Sequence, residues 1–421
     1  MARINFIITH MFALHLCIFR SISRAYTTLS DNTLQVLPGP GSDFDIRNGA
    51  ILAPILQPRV PGTPGSAAVL NHLEDFFKNT MPEWSIEFQN STAKTPATGD
   101  KQIPFVNMIA TRDPPWTTPG EVGRLTLVAH YDSKLTPSGF IGATDSAAPC
   151  AMLMHAARSV DTVLTKKWAA MQAEGIGEGG FAGIEEHKGL QIIFLDGEEA
   201  FSSWTDSDSL YGARSLAEAW EQKPHPALST YHTALSSISL FLLLDLLGAK
   251  DPNVPSYFKT THWAYRTMAA LETRLRSLHQ FKSSPNHPSK RTVSTKQSKA
   301  RVNKPRKERL FLPEADKTDD RFLGGMVLDD HVPFMARGVE VLHIIPTPFP
   351  RVWHELDDDG EHLDMDTVED WAMLMTAFTA EWMDLEGFFD TSEEGRRDLS
   401  VGEDGVRERK KRKLVTSKTE L

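Results

Sequence analysis

Acidic and imidazole side chains recur in this sequence where short apolar runs end or sharp turns follow. The residues are His130, Asp132, Asp145, Asp196, Glu198, Glu199, Asp245, Asp329, Asp330, His331, His343 and His354. Carboxylates and imidazoles are the ligands of catalytic zinc, which takes three protein ligands and keeps one position open. A carboxylate beside such a site can serve as a general base. The set therefore predicts metal-assisted acid–base chemistry.

Each of these signals is weak when it is taken alone. A single His-x-Asp or Glu-Glu pair is commonly a solvated or ion-paired surface feature. Asp245 is harder to explain in that way, because it follows four apolar residues and a lone buried carboxylate is costly. A helix N-cap or a buried ion pair remains its alternative. Glu198 and Glu199 are neighbours on a turn, which fits one carboxylate on a metal and one facing a substrate. Cys150 fits a small buried hydrophobe.

The elements that must position these residues are predicted by hydrophobic periodicity. Strands are expected over 84–88, 105–110, 125–130, 190–195, 238–244 and 340–345, and helices from about 66 to 78 and over 146–163, 211–220 and 367–388. Continuous apolar strands that alternate with helices are typical of a mostly parallel sheet covered on both faces. We therefore predict a three-layer α/β/α fold with a central mixed, mostly parallel sheet. Ligands of such folds bind at the carboxyl ends of the strands, where the polar set lies.

Composition sets broad limits on function. The 421 residues are 40% hydrophobic and 24% charged, as in ordinary globular proteins. The formal net charge of -10 predicts no nucleic-acid partner. Cys17 and Cys150 are the two cysteines, so a chain cleaved after residue 25 keeps one thiol and no internal disulfide.

The N-terminus predicts entry into the secretory pathway. Arg3 precedes an apolar run over 4–19, and Ala25 ends a Ser-Arg-Ala triplet suited to signal peptidase. A cleaved signal leads to secretion, whereas an uncleaved anchor in a thin Golgi-type membrane leads to retention there. Asn90 begins a glycosylation sequon, which agrees with the same route. A membrane is expected as a partner only if the segment stays uncleaved.

Changes in composition divide the chain into successive parts. These are a signal or anchor at 1–25, an extended arm at 26–61, a catalytic domain at 62–390 and a charged tail at 391–421. A glycine-rich loop is expected at 175–189. A basic insertion at about 283–310 and the tail have too little apolar surface to offset the entropy of ordering, so both are expected to be disordered.

Several long motifs together resemble the glutaminyl cyclase family, which shares its fold with the zinc aminopeptidases. They are AHYDSK at 129–134, GATDSAAPCAM at 142–152, FLDGEEAF at 194–201, DSLYGAR at 208–214, LDLLGA at 244–249, DDHVPF at 329–334 and VLHIIPTPFPRVWH at 341–354. The similarity runs from about residue 60 to 385, except for the glycine-rich loop and the basic insertion. The last motif, with its Pro-Phe-Pro and Val-Trp-His, is specific to the cyclases.

The resemblance implies an acyltransferase that converts N-terminal Gln, and slowly Glu, of peptides and proteins to pyroglutamate, with release of ammonia from Gln. It also implies one zinc ion per chain and a role for each matching residue. Asp145, Glu199 and His354 would bind zinc, and Glu198 would be the general acid/base. Asp245 and Asp329 would form a carboxylate network beside Glu198. The substrate pocket would be walled by Trp204, Phe349 and Trp353 and lined by His343. Peptides and proteins with N-terminal Gln would be its partners, and a monomer is the default.

The sequence departs from the family at three points. Leu328 stands where family members often have Gln, which puts one polar contact to the substrate in doubt. The disulfide that the animal secreted enzymes carry near the site is absent, because the second cysteine is missing. The basic insertion is extra, and it falls just before the segment that carries Asp329.

Two other functions remain open. A zinc aminopeptidase of the same fold would use His130 and Asp245 for a second ion bridged by Asp145, and all three residues are present. A non-catalytic ectodomain could have kept the fold alone, although the intact ligand positions argue against it. Zinc content and the products released from Gln- and Leu-peptides distinguish these functions.

Overall fold

The computed structural model describes residues 27–176, 187–290, 305–322 and 327–392. The expected signal or anchor segment, the tail from residue 393, most of the glycine-rich loop and the centre of the basic insertion lie outside these ranges. Within them, none of the helices combines the length and the apolar character needed to span a membrane.

One six-stranded sheet organises the described part of the chain. Its strands are β1 Ser85–Lys94, β2 Gln102–Arg112, β3 Gly123–His130, β4 Lys188–Leu195, β5 Ile238–Leu244 and β6 Val341–Ile344. Their order across the sheet is β1-β2-β4-β3-β5-β6. Strands β3 to β6 run parallel to one another, whereas β2 is antiparallel to both β1 and β4. The predicted mixed, mostly parallel sheet is confirmed.

Helices cover both faces of this sheet. They are α1 Asp31–Gln35, α2 Pro64–Thr80, α3 Ala148–Ala173, α4 Tyr211–Gln222, α5 His262–Ser277, α6 Val332–Met335 and α7 Met365–Trp382. Alternate residues of β3 enter different cores: Leu125 and Leu127 pack with α2, α3, α5 and α7, whereas Val128 packs with α4 and α6. This alternation follows from the two-residue period of a strand, and it confirms the three-layer α/β/α architecture.

Helix α5 was not predicted from the sequence. Its buried face includes Tyr265, Met268, Leu271 and Leu275, at the three- and four-residue spacing of an amphipathic helix. Two arginines in its last turn favour a helix C-terminus. The periodic signal was therefore present, but it was diluted by the polar residues of the exposed face.

The segment predicted as an extended arm is built into the domain. It contains α1 and short 3₁₀ turns at Gly41–Phe44 and Ala53–Ile55. Phe44 and Ile51 are buried in the main core, and the Leu29 amide donates to Glu381 Oε1 at 2.9 Å. Short apolar clusters between the prolines and glycines therefore fold this segment onto the domain, rather than leaving it extended.

The flanks of the basic insertion also differ from the predicted disorder. Asn286 Nδ2 donates to the Arg306 carbonyl at 2.8 Å, and the Arg306 amide donates back to Asn286 Oδ1 at 2.8 Å. Ser284 Oγ donates to Glu308 Oε1 at 2.6 Å. These polar contacts pair the two ends, and such pairing is not visible in composition. Residues 291–304 lie outside the described ranges.

Candidate active site

The carboxyl ends of three neighbouring parallel strands carry four of the candidate residues. His130 ends β3, Glu198 and Glu199 follow β4, and Asp245 follows β5. Gly197 turns the chain after β4 at a φ of 73°, and a Cβ there would collide with the ring of Phe105. The glycine therefore allows both glutamates to follow the strand directly and to reach the same edge of the sheet.

Asp145, Glu199 and His354, the three residues that the family resemblance implied as zinc ligands, lie close together at this edge. Their potential ligand atoms all lie within 4.8 Å of one another. His354 Nε2 is 3.5 Å from Asp145 Oδ2 and 3.5 Å from Glu199 Oε1. Both carboxylates are buried, whereas 26% of the His354 side chain is exposed. The group is therefore open on the side of the histidine.

Asp145 lies in an irregular turn, Ala143–Ala147, immediately before α3. The buried guanidinium of Arg59 holds this turn by its carbonyl oxygens. Arg59 Nη2 donates to Gly142 O at 3.0 Å and to Asp145 O at 3.4 Å, and Nη1 donates to Ile141 O. Burial lowers the pKa of Arg59. No sequence pattern set Arg59 apart, because its partners lie far along the chain.

Asp132 fixes the backbone of the two glutamates. Its Oδ1 accepts from the Glu198 amide at 3.1 Å, and its Oδ2 accepts from the Glu199 amide at 3.3 Å. Lys134 Nζ lies 3.2 Å from Glu199 Oε2. The other oxygen, Glu199 Oε1, is buried and accepts no hydrogen bond from the described residues. One glutamate oxygen is thus engaged, and the other faces His354.

Glu198 is buried beside this group. Burial raises the pKa of its carboxyl well above the usual value, and the charges of Glu199, Asp329 and Asp330 act in the same direction, while His130 lowers it. A raised pKa brings a glutamate closer to the range in which it can both accept and return a proton near neutral pH.

His130 lies among three carboxylates. Its Nε2 is 3.0 Å from Asp145 Oδ1 and 3.4 Å from Asp245 Oδ1, and its Nδ1 is 3.4 Å from Asp132 Oδ1. Burial lowers the pKa of His130, but these carboxylates outweigh burial and raise it well above its usual value. Ser146 Oγ donates to Asp245 Oδ1. His130, Asp145 and Asp245 also meet the distance requirement for a cation, so a second ion has a candidate position.

Asp329 and His343 form a hydrogen-bonded pair on the other side of the network. His343 Nε2 lies 2.7 Å from Asp329 Oδ2, and the Asp330 amide donates to Asp329 Oδ1 at 2.6 Å. Burial raises the pKa of Asp329 well above its usual value, and the charge of Asp245 acts in the same direction. The ring of His331 stands 4.5 Å from that of His343. His343 therefore contacts Asp329, one of the two carboxylates of the implied network. Its position within strand β6 had not indicated this contact.

Aromatic side chains stand at the open side of the site. The rings of Phe349 and Trp353 are 4.8 Å apart, and Trp353 stacks on His354 at 4.0 Å. Trp204 and Trp353 are each 39% exposed. Leu328 is also exposed, directly before Asp329. Phe349 and Trp353 therefore offer apolar surface beside His354, as in many small-molecule sites, whereas Trp204 makes no ring contact with them among the described residues.

Asp208 holds the loop that carries Trp204, and no role for it was predicted. Its carboxylate accepts from three consecutive amides, those of Phe201, Ser202 and Ser203, at 2.9–3.0 Å. Tyr211 Oη donates to the same carboxylate at 2.8 Å. Its place as the first residue of the DSLYGAR motif at 208–214 was the available signal, but the motif did not indicate what the side chain holds.

Comparison with known proteins points to one family. The profile of peptidase family M28 matches residues 107–379. A glutaminyl-peptide cyclotransferase-like protein of Bos taurus is 38% identical over 340 residues, which cover 79% of this chain and 74% of the bovine protein. A glutaminyl-peptide cyclotransferase of Boiga irregularis is 36% identical over 343 residues, which cover 79% of this chain and 80% of the snake protein.

Solved structures agree with this similarity. The glutaminyl cyclase of Macrostomum lignano superposes with a TM-score of 0.63 at 27% identity, over 87% of this chain and 98% of the other. A glutaminyl cyclase from an Acidobacteriales bacterium has a TM-score of 0.53 at 22% identity, over 86% of this chain and 97% of the other, which supports the fold alone.

Proposed function

Because this chain belongs to peptidase family M28 and to its glutaminyl-peptide cyclotransferase branch, we propose that it is a zinc-dependent glutaminyl-peptide cyclotransferase. It closes an N-terminal Gln of peptides and proteins into pyroglutamate and releases ammonia, and it acts slowly on N-terminal Glu. The observation that carries the proposal is the convergence of Asp145, Glu199 and His354, with Glu198 beside them.

The geometry of the three residues fits a zinc ion. Ligand atoms at about 2.0–2.1 Å from a tetrahedral zinc lie about 3.3 Å apart. His354 Nε2 is 3.5 Å from one oxygen of Asp145 and 3.5 Å from one of Glu199. The unpartnered Glu199 Oε1 is a buried acceptor that a cation would satisfy. Aspartate, glutamate and histidine side chains are all established zinc ligands, and three protein ligands leave the open position that catalytic zinc needs.

Glu198 carries out both proton transfers of the proposed reaction. Bound zinc would supply a Lewis acid that polarises the side-chain carbonyl of the substrate Gln. Glu198 takes a proton from the α-amine as its nitrogen bonds to that carbonyl carbon. Glu198 then gives the proton to the side-chain nitrogen as the carbon–nitrogen bond breaks, which yields ammonia and the closed ring.

Asp245 and Asp329 assist at the departing nitrogen. Both are buried near Glu198 and titrate as members of one network rather than singly. They hold the leaving nitrogen by hydrogen bonds and share protons with Glu198, while His343 orients Asp329 through its 2.7 Å contact.

The aromatic side chains select cyclisation over hydrolysis. Trp204, Phe349 and Trp353 wall the site and exclude water, which would otherwise compete with the α-amine as nucleophile. The fully buried side chain of His343 acts behind these walls, through its contact with Asp329. N-terminal Glu is a slower substrate, because its carboxylate is a poorer electrophile than an amide.

The cellular setting is part of the proposal. The N-terminal pattern supports a protein of the secretory pathway, either secreted or retained in the Golgi. Asn90 of the sequon is exposed on the edge strand β1, where an oligosaccharide can be added without disturbing the core. We expect a monomer that acts on peptides and proteins with N-terminal Gln and binds no nucleic acid.

A zinc aminopeptidase is the second candidate, favoured by the His130, Asp145 and Asp245 group. The test compares ammonia released from a Gln-peptide with the amino acid released from a Leu-peptide by the same preparation. We expect ammonia and pyroglutamyl peptide, and no cleavage of the Leu-peptide. Release of Leu without cyclisation would establish the aminopeptidase, and gently purified protein without zinc or either activity would indicate a non-catalytic ectodomain.

A further inference from the structure

The proposed zinc ligands are supported by different kinds of structure. Asp145 lies in an irregular turn directly before α3, where Arg59 holds the backbone, and Glu199 lies in the turn after β4, where Asp132 accepts from its amide. His354 lies in a turn between β6 and α7, at a φ of 59°, with 26% of its side chain exposed. Something other than a regular element must therefore hold His354 opposite the two carboxylates.

Asp358 joins the segment of His354 to the segment of Asp145. The Asp358 carbonyl accepts from the Ala143 amide at 2.9 Å, and Asp358 Oδ1 accepts from the Thr144 amide at 2.8 Å. The Asp358 amide donates to the Glu355 carbonyl at 2.9 Å, which closes a turn directly after His354. Asp358 is fully buried. One residue thus connects the two ligand-bearing segments by two hydrogen bonds.

Arg59 and Asp358 bind the turn of Asp145 by opposite groups. Arg59 donates to its carbonyl oxygens, those of Ile141, Gly142 and Asp145, and Asp358 accepts from its amides. Arg59 also donates to Tyr131 O and its charge acts on Asp358, but it makes no hydrogen bond to the described residues of the His354 loop, to which Asp358 itself belongs. Loss of the Asp358 side chain would remove its contact with Thr144 and loosen the link between the two segments, while the backbone contact with Ala143 and the Arg59 contacts stay in place.

We propose that Asp358 is a positioning residue that sets the distance between His354 and Asp145, and through it the affinity of the site for zinc. The inference depends on the proposed function for the identity of the metal. Residues that orient metal ligands through hydrogen bonds typically change metal affinity by about 10–100-fold when they are lost.

A simple charge effect is the competing explanation, since a buried carboxylate near the ligands also attracts a cation. Two conservative variants separate the two explanations. Asp358→Asn removes the charge but keeps an oxygen that can accept from the Thr144 amide. Asp358→Glu keeps the charge but moves that oxygen by one methylene group. Positioning predicts tighter zinc binding by Asp358→Asn than by Asp358→Glu, and a charge effect predicts the reverse order.

The experiment measures the zinc dissociation constant by competition with a chromophoric chelator, together with the melting temperature of each zinc-free protein. Asp358→Ala should weaken zinc binding by about 10-fold or more, whereas Asp358→Asn should stay near the wild type. Asp359→Ala is the matched control, because Asp359 accepts from Glu361 and His362 within its own turn. Its zinc affinity should be unchanged.

The outcomes separate this inference from the proposed function. Wild-type zinc affinity in Asp358→Ala, or weaker binding by Asp358→Asn than by Asp358→Glu, overturns the positioning role. If Asp358→Ala does not fold, the order of the other two variants decides. A wild-type protein that cyclises nothing and binds no zinc contradicts the proposed function itself, before any variant is compared.

Discussion

His354 Nε2 lies 3.5 Å from Glu199 Oε1, a buried oxygen that accepts no hydrogen bond from the described residues. An unpaired buried carboxylate oxygen is costly unless another group satisfies it. A cation between the two atoms, also in reach of Asp145, removes that cost. This relationship explains why a partly exposed histidine on a loop belongs to an otherwise buried acidic site.

Glu198→Gln should abolish turnover while zinc stays bound. The amide cannot take the proton of the substrate amine, and loss of a general acid–base typically costs about 10²–10⁴-fold in rate. Steady-state ammonia release and elemental analysis of the same sample provide the measurement. Near-normal rates in this variant would show that Glu198 does not transfer the proton.

His354→Ala should lose zinc without unfolding the zinc-free protein. The side chain is partly exposed and lies in a turn, so its removal leaves the core intact. His362→Ala is the matched control, because His362 lies in the same connection and pairs with Asp359 on the surface. Zinc retention after dialysis should fall in the first variant alone. Equal retention in both variants would remove His354 from the ligand set.

The acid limb of the pH profile of kcat should lie at a higher pH than the usual pKa of a glutamate. Burial raises the pKa of Glu198, so the residue takes up its proton at a higher pH than a free glutamate and loses its base function there. Activity should therefore rise with pH through a limb well above about pH 4.3. The profile of kcat reports the enzyme–substrate complex, which separates this limb from the titration of the free amine. A profile flat down to that pH would contradict the assignment.

Glu381→Gln should flatten the pH dependence of stability. Burial raises the pKa of Glu381 to about 7, so the folded state keeps this proton to a higher pH than the unfolded chain. Stability is then lost as pH rises from the unfolded value, about 4.3, through about 7. The glutamine cannot ionise and still accepts from the Leu29 amide, so unfolding at pH 8 should cost on the order of 1 kcal/mol more than in the wild type. Urea titrations at pH 5 and pH 8 measure the difference, and a variant equally destabilised at both would contradict it.

Asp208→Ala should raise KM for Gln-peptides and leave zinc binding unchanged. Three backbone amides directly before Trp204 lose their acceptor, so the loop that carries Trp204 becomes more mobile. The proposed zinc ligands lie on other segments and keep their positions. The variant should also lose about 2–4 kcal/mol of stability. Asp206→Ala, an exposed neighbour on the same loop, provides the control. An unchanged KM would mean that the loop is held by other contacts.

The sequence patterns predicted the fold well where local periodicity is strong. The strand expected at 238–244 is β5 to the residue, because a continuous apolar run between polar ends leaves little choice. Helix α3 continues to Ala173, past its expected end at 163, since Leu164 and Trp168 extend its buried face. Helix α7 ends at Trp382 rather than near 388, and Asp384 then adopts a positive φ.

The site was predictable in part for the same physical reason. Glu199 and Asp245 follow parallel strands, so fold class alone places them at one edge. His354 follows no strand directly, and the family motif rather than periodicity identified it. Asp358 was missed because its partner, Thr144, lies 214 residues away along the chain. Long-range hydrogen bonds of this kind leave no local signal in a single sequence.

Zinc titration of the metal-free enzyme tests directly whether a single bound zinc ion is required for cyclisation. If Asp145, Glu199 and His354 hold one catalytic zinc ion, ammonia release from a Gln-peptide is absent without zinc, rises in proportion to added zinc and reaches its plateau at one equivalent per chain. A plateau at two equivalents, or full activity in protein shown by elemental analysis to hold no metal, would contradict this prediction.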